Sequence, residues 1–248
     1  MHSCFSDTPV VSGARVTLSP AESAHVARVL RMRAGDEVRL LDGDGLYRAT
    51  LERVDAAATV ALALERLPSP EARVRMTLFQ GMPKADKMEW IAQKLTELGA
   101  WSVQPVMTER AVAGAERGGK RERWARIALE AAKQSGRAHV PQIGDTLSFP
   151  ALIDALSGFD AAFVAWEEER ALSVTQAVTE VVSRHASTDG SPMRLAFVVG
   201  PEGGLSGAEV ARLNAAGARS VTLGKRILRT ETAGLCCVVS ALSALGEM

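Results

Sequence analysis

Two short apolar runs rich in β-branched residues, 195–199 and 220–223, each end in a glycine loop and lead into a helical pattern. The first loop reads Gly200, Pro201, Glu202, Gly203, Gly204. The second runs from Gly224 to Gly234 and carries Lys225, Arg226, Ile227, Leu228, Arg229, Thr230, Glu231, Thr232 and Ala233. Two strand–loop–helix junctions of this kind can lie side by side at one edge of a parallel sheet. In open α/β sheets, ligands bind beyond the carboxyl ends of the strands. The two loops are therefore expected to build one small-molecule pocket.

The texture of the chain changes at residues 67–71, where Pro68 and Pro70 break any periodic pattern and read as a linker. Before it, 37–41 and 46–51 flank an Asp-Gly repeat and predict a hairpin, with a third strand over 59–64. A helical pattern lies between Pro20 and Arg33, and short strands with one helix fit a small barrel. After the linker, strands and helices alternate. Strands are expected at 74–80, 101–106, 161–166, 195–199 and 220–223. Pro83 suits a first helical position, and Met88, Ile91, Leu95 and Leu98 recur at helical spacing before Gly99. Further helices are expected over 121–135, with Trp124, Ile127, Ala128 and Ala131 on one face, over 173–185, and from Ser206. Ser206 and Glu209 have capping-box spacing. The run 232–245 is apolar on all sides, so it is expected in the core or against a partner subunit. The alternation implies a mostly parallel sheet covered on both faces. The expected domains are 1–70 and 71–248.

A hydrophobic fraction of 47% is enough for a sizeable core and argues against general disorder. The 29 basic and 29 acidic side chains cancel, which removes bulk attraction to nucleic acid but leaves local patches open. Cys4, Cys236 and Cys237 neither form a disulfide framework nor have zinc-site spacing, and are expected as buried thiols in a reducing compartment. No metal site and no membrane span is read. With no basic-then-apolar start, a cytoplasmic location is expected.

The first loop does not fit the nucleotide fingerprints. G-P-E-G-G-L-S-G lacks the G-x-G-x-x-G spacing of dinucleotide sites and the Gly-Lys-Ser/Thr of a P-loop. A nicotinamide oxidoreductase is thereby excluded. Glu202 would repel a phosphate, but suits a ligand with hydroxyls or positive charge. S-adenosylmethionine carries ribose hydroxyls, an ammonium and a sulfonium. A tight turn that needs glycine for backbone freedom stands beside that reading. In the second loop, Thr230 or Thr232 is a candidate helix cap. Glu231 is favourable near a helix N-terminus. Arg226 and Arg229 fit that positive end poorly, so an anionic partner such as RNA phosphate is a reason for them.

Four blocks together resemble the bacterial 16S rRNA uridine N3-methyltransferases of the RsmE type, in the SPOUT superfamily. They are V-G-P-E-G-G-L-S with L-G-K-R-I-L-R-T-E-T-A; the segment Pro83 to Ile91, P-K-A-D-K-M-E-W-I, with Lys94; the stretch from Arg123–Trp124 to Gln134, Ser135, Gly136 and Arg137; and His25 to Met32. The first residues depart from the family's Arg-Phe-Phe-like start, with only Phe5 matching, which moves any arginine contact to Arg15 or Arg28.

The resemblance implies an α/β fold: a C-terminal SPOUT domain with a parallel sheet and a deep trefoil knot, and a small N-terminal PUA-like β-barrel that helps hold RNA. It implies a homodimer that methylates N3 of a uridine in 16S rRNA of the small ribosomal subunit, U1498 in the family, with S-adenosyl-L-methionine as cofactor. A non-catalytic RNA-binding or ribosome-assembly protein of the same fold is the alternative. Carried onto this sequence, the cofactor residues are Trp166, Val199, Gly200, Pro201, Glu202, Gly203, Gly204, Leu223, Gly224, Ile227, Leu228, Arg229, Thr230, Thr232 and Ala233. Residues for RNA are His25, Arg28, Arg31, Lys84, Lys87, Gln134, Ser135, Arg137 and Arg226. Lys84, Lys87, Lys94, Lys133 and Arg137 form a candidate basic track, although Lys94 reads better as solvated surface. Arg229 is the candidate to stabilise charge on the uracil oxygens. Glu231 is the candidate proton acceptor if burial raises its pKa; capping the helix is its other role. His25, His139 and His185 are expected in solvated roles. Met88, Ile91, Leu95 and Trp124 are expected in the core or an interface.

Overall fold

A computed structural model describes residues 1–43, 45–111, 120–184 and 191–248. They group into two units: Met1–Glu71 with Ala132–Val140, and Ala72–Ala131 with Pro141–Met248.

The first unit is built on β1 (His2–Phe5), β2 (Arg15–Thr17), β3 (Glu37–Leu41), β4 (Leu46–Arg53) and β5 (Val60–Leu67). Among the described residues these five form a curled half-barrel in the order β1-β3-β4-β5-β2. The strands β1 and β2 stand at its edges, so hydrogen bonding does not close the barrel expected from the sequence. Period-2 burial follows the apolar alternation: Val38 and Leu40 in β3, and Tyr47, Ala49 and Leu51 in β4, enter a core with Cys4, Val16 and Val26. The β3–β4 pair is the expected hairpin; its Asp44 lies outside the described residues. The helix α1 (Pro20–Ala24) is capped by Ser19, whose hydroxyl accepts from Glu22 N–H. It widens into a π turn, His25–Val29, and ends well before Arg33. Arg31 has φ +53, a left-handed conformation that no helix continues through.

The second unit holds β6 (Val74–Gly81), β7 (Ser102–Met107), β8 (Gln142–Ile143), β9 (Leu147–Ser148), β10 (Ala161–Ala165), β11 (Met193–Val199) and β12 (Arg219–Val221). Among the described residues all seven pair in parallel, in the order β12-β10-β11-β6-β7-β8 with β9 also on β7. A parallel sheet is buried on both faces. One face packs Phe79, Val106, Val164 and Val198 under α4 (Phe149–Ala155) and α6 (Gly207–Ala215). The other is covered by α2 (Lys87–Glu97), α5 (Val174–Arg184) and α7 (Thr230–Leu245), with α7 against β6 and β11. There Phe163 and Phe197 stack at 5.4 Å. Burying each such ring contributes about 1.5–3 kcal/mol. The close seat of α7 depends on Gly234, where a Cβ would lie 2.6 Å from Leu78 Cδ2. The helix α3 (Lys120–Ser135) starts in this unit, and its last turn belongs to the first.

Trp124, Ala128 and Ala131 are buried as their spacing predicts, and so are Met88, Ile91 and Leu95. Pro83 does not open α2. Ala85, at φ +55, breaks the run, and the helix begins at Lys87. Cys4 and Cys237 are buried free thiols, whereas Cys236 is only half-buried. Among the described residues no helix is long and apolar enough to cross a membrane.

Candidate functional site

The neighbouring strands β12, β10, β11 and β6 end at the same edge of the sheet. The loops that follow the first three surround a cavity of about 490 Å³, within the ordinary range for small-molecule sites. Every residue expected at the cofactor lines it except Thr232, whose backbone N–H instead returns to Arg229 O. Lys87, Ala165, Glu167, Arg170, Leu205, Thr222 and Lys225 also line it and were not expected there; Arg226, expected at RNA, does too. Ala165 ends β10, and Glu167 and Arg170 follow it in a segment with no glycine fingerprint; only their place at the same sheet edge marks them.

The first loop is packed too tightly for side chains. A Cβ on Gly200 would lie 2.7 Å from Gly204 C, and one on Gly204, at φ +70, would lie 2.7 Å from Glu167 Oε1. Beneath it, a Cβ on Gly81 would lie 2.6 Å from Pro201 N. Arg110 Nη1 donates to Gly203 O at 2.9 Å and steadies the loop from outside. The exit into α6 is the expected capping box, with Ser206 Oγ accepting from Glu209 N–H and Glu209 Oε2 accepting from Ser206 N–H at 2.9 Å.

The second loop is stitched to the first through buried groups. Gln80 Nε2 donates to Thr230 Oγ1 at 2.7 Å and to Gly81 O at 2.9 Å, and the Thr230 hydroxyl donates to Gly200 O at 2.6 Å. Neither threonine caps α7. Its N-cap is Arg229, with no side-chain cap, because the Thr230 hydroxyl is taken by the neighbouring loop. Gln80 Oε1 is buried with no partner beneath these loops.

Charge organises the site. Lys87 Nζ lies 2.9 Å from Glu202 Oε1 and 3.0 Å from Glu231 Oε2. Burial pulls the Glu231 carboxyl upward. Its own backbone N–H, the Lys87 ammonium and the Arg229 charge outweigh that and hold it below the ordinary range. Glu202 is likewise pulled up by burial and held low by Lys87 and by backbone N–H groups, including that of Lys84. Burial therefore does not give Glu231 the raised pKa on which its candidate role as proton acceptor depended. Arg229 is exposed and makes no ion pair or hydrogen bond through its side chain among the described residues.

The candidate basic track does not hold together. Lys87 is committed to two carboxylates, Lys94 pairs with Glu97 at 2.8 Å, and Lys133 pairs with Glu22. Arg137 is buried and donates through Nε to Glu71 Oε2 at 3.1 Å. Apart from Glu97, one turn from Lys94, the acids that neutralise these cations are distant in sequence, which no local pattern reveals. Only Lys84 keeps an exposed side chain without a paired acid in the described residues. In the first unit, Arg28, Arg31 and Gln134 are exposed and His25 is half-buried. Arg15 pairs with Glu52 at 2.7 Å. His139 is buried rather than solvated, and His185 lies outside the described residues. Among the described residues no group of three or more His, Cys, Asp or Glu could hold a metal ion.

Comparison with known proteins fits this arrangement. The family model described as RNA methyltransferase domain matches residues 70–243, and the one described as RNA methyltransferase PUA domain matches 18–57. The Ribosomal RNA small subunit methyltransferase E of Bacillus subtilis (strain 168) is 38% identical over 237 residues, covering 94% of this chain and 91% of its own. The protein of the same name from Mycobacterium tuberculosis (strain CDC 1551 / Oshkosh) is 33% identical, covering 98% of this chain and 90% of its own. The crystal structure of a Ribosomal RNA small subunit methyltransferase E from Neisseria gonorrhoeae, bound to S-adenosyl methionine, superposes with a TM-score of 0.80 at 30% identity, over 98% of this chain and 97% of that one. Near-complete coverage at these identities leaves no part of either unit unaccounted for: the chain belongs to the ribosomal RNA small subunit methyltransferase E family.

Proposed function

We propose that the cavity binds S-adenosyl-L-methionine and that the chain methylates N3 of a uridine in 16S rRNA, U1498 by the family resemblance. The single observation that carries the reading is the cavity between the two glycine loops, the first of them folded so tightly that a Cβ on Gly200 would meet the loop's own backbone at Gly204. Bare backbone offers N–H and C=O groups to a nucleoside edge. Glu202 and Glu167 offer anions to hydroxyls or to a positive group. Trp166, Val199, Leu223, Gly224, Ile227, Leu228 and Thr230 complete the contacts. When bound, the cofactor supplies an electrophilic methyl group on a sulfonium.

In a duplex, N3 is engaged in pairing, so the uridine must be unpaired or flipped to react. The N3–H bond breaks and its proton passes to water; among the described residues no histidine lines the cavity. The electron pair left on N3 is the nucleophile. Arg229 holds the negative charge spread onto the uracil oxygens, an electrostatic contribution of the oxyanion-hole kind. Half-buried His25 and exposed Arg28, Arg31, Gln134 and Ser135 in the first unit, with Lys84 and Arg226 in the second, take the RNA.

In the same reading, residues 224–234 pass through a deep trefoil knot and the protein is a homodimer located in the cytoplasm. Past Glu231, α7 bears no charge, and Leu235, Val239 and Leu245 are only half-buried, a surface that a second copy would cover. Sedimentation of the full chain tests this, a monomer at micromolar concentration being the contrary result. Calorimetric titration of the purified protein with S-adenosylmethionine tests the pocket. Saturable one-site binding is expected, and no detectable heat or competition would sink the assignment.

A further inference from the structure

Lys87 is the first residue of α2. A cation there meets the positive end of the helix macrodipole and is unfavourable without compensation. The compensation comes from two carboxylates on separate elements, Glu202 in the first glycine loop at 2.9 Å and Glu231 in the first turn of α7 at 3.0 Å. The approach to α2 is shaped to receive it. The left-handed turn at Ala85 leaves Lys84 N–H donating to Glu202 Oε1 at 3.1 Å, so the same carboxylate is gripped twice. The side chains of Lys87, Glu202 and Glu231 are 30%, 26% and 17% exposed, which limits screening of the trio. Two cations act on Glu231, Lys87 and Arg229. Removing Lys87 leaves Arg229.

We propose that Lys87 is the positioning residue of this site: by bridging Glu202 and Glu231 it clamps the two glycine loops together and takes up the Glu231 charge, so that the Arg229 guanidinium stays unpaired toward the cavity. The inference rests on the reading of the cavity as a methyl-transfer site, and it gives Lys87 a task other than RNA contact. Gln80 and Thr230 join the loops from below through neutral hydrogen bonds. Lys87 adds the charged tie, the one that bears on Arg229.

The full-length Lys87→Met, Lys87→Arg and Lys87→Met/Glu231→Gln variants test this against wild type, with thermal melts to verify folding. Without any ligand, amide hydrogen exchange over residues 200–204 and 224–231 is expected to speed up about tenfold in Lys87→Met, and to return most of the way in Lys87→Arg. Unchanged exchange in both loops overturns the clamp. That arm needs no cofactor, so it fails separately from the cofactor assignment, which wild-type calorimetry decides. In methyl transfer to small subunits, Lys87→Met is expected to lower kcat about tenfold, more than it raises the KM for S-adenosylmethionine. The double variant is expected to regain kcat, because Glu231 no longer competes for Arg229, while its loops stay loose. A double variant no faster than the single one overturns the charge role. If Lys87→Met does not fold, Glu231→Gln removes one arm of the bridge. It is then expected to loosen residues 229–231 and spare 200–204, and protection equal to wild type in both overturns the proposal.

Discussion

Arg229 stands at the N-cap of α7, where its backbone carbonyl accepts from Thr232 and Ala233 N–H while its side chain is left toward the cavity. Its two roles separate by substitution. Arg229→Gln keeps the backbone contacts and removes the charge, so it is expected to lower kcat by roughly 10²–10³-fold, the cost of one oxyanion-type donor, and to leave S-adenosylmethionine affinity within about threefold. Equal losses in both would make Arg229 a binding residue only. Protonation of the Lys87 trio gives a second test. Glu202 and Glu231 are held below the ordinary carboxylate range, so the stability they contribute is present above their unfolded pKa and is lost as pH falls through the folded one. Lys87 is raised, first by its pairing with the Glu202 carboxylate and then by that with Glu231. Its contribution is present below its unfolded pKa and lost as pH rises through the folded value. Loop protection measured against pH should therefore be flat through neutrality, falling only at pH below the usual glutamate range and above the usual lysine range. A fall centred near neutral pH would contradict the ion-pair assignment. At this scale the sequence was informative where motif and place coincided, as for Gly200, Gly204 and Arg229. It did not show that Lys87, Lys133 and Arg137 pair with Glu202, Glu22 and Glu71, which are far away in the chain.

At the scale of elements, the ends of β6 and β11 must pass within backbone contact for the first loop to form. Gly81→Ala places a Cβ 2.6 Å from Pro201 N, against main chain that has nowhere to go. It is expected to weaken S-adenosylmethionine binding at least about tenfold by displacing the loop, a loss of about 1.4 kcal/mol or more. Unchanged affinity in calorimetry would show that the loop yields. In the first unit, Glu71 takes Arg137 Nε and the N–H groups of Ala138, at 3.0 Å, and His139, at 3.1 Å. Glu71→Ala removes the carboxylate paired with a buried guanidinium and is expected to cost about 3–5 kcal/mol, read as a lower urea midpoint for this unit. A cost under about 1 kcal/mol would mean that the pair is solvated. Long, strongly patterned elements were legible: the hairpin, the helix over Met88, Ile91 and Leu95, and the Ser206–Glu209 capping box. The strands β8 and β9 are two residues each, too short to show any period. The start of α7 was misread because Thr230, a good cap by type, gives its hydroxyl to Gly200 O instead.

The described residues comprise a curled sheet and a parallel α/β unit, and the division of the chain between them is not linear in sequence. Residues 132–140 group with Met1–Glu71, held by Lys133 on Glu22 and Arg137 on Glu71. Composition gave no hint of this return, since pairings between distant residues leave no local mark. A balance of 29 basic and 29 acidic side chains also hid the function, because an RNA surface needs local charge and not net charge. Physical pattern reached S-adenosylmethionine only as a ligand that Glu202 would suit, and the resemblance across four blocks narrowed both the cofactor and the kind of substrate. The central claim is that this chain transfers methyl groups to a uridine N3 of 16S rRNA. It is tested most directly by incubating the purified protein with unmethylated small ribosomal subunits and isotope-labelled S-adenosylmethionine, then mapping the rRNA by mass spectrometry. A single labelled N3-methyluridine in 16S rRNA is the expected result; label absent from 16S rRNA, or carried on a ribose or on another base atom, would contradict it.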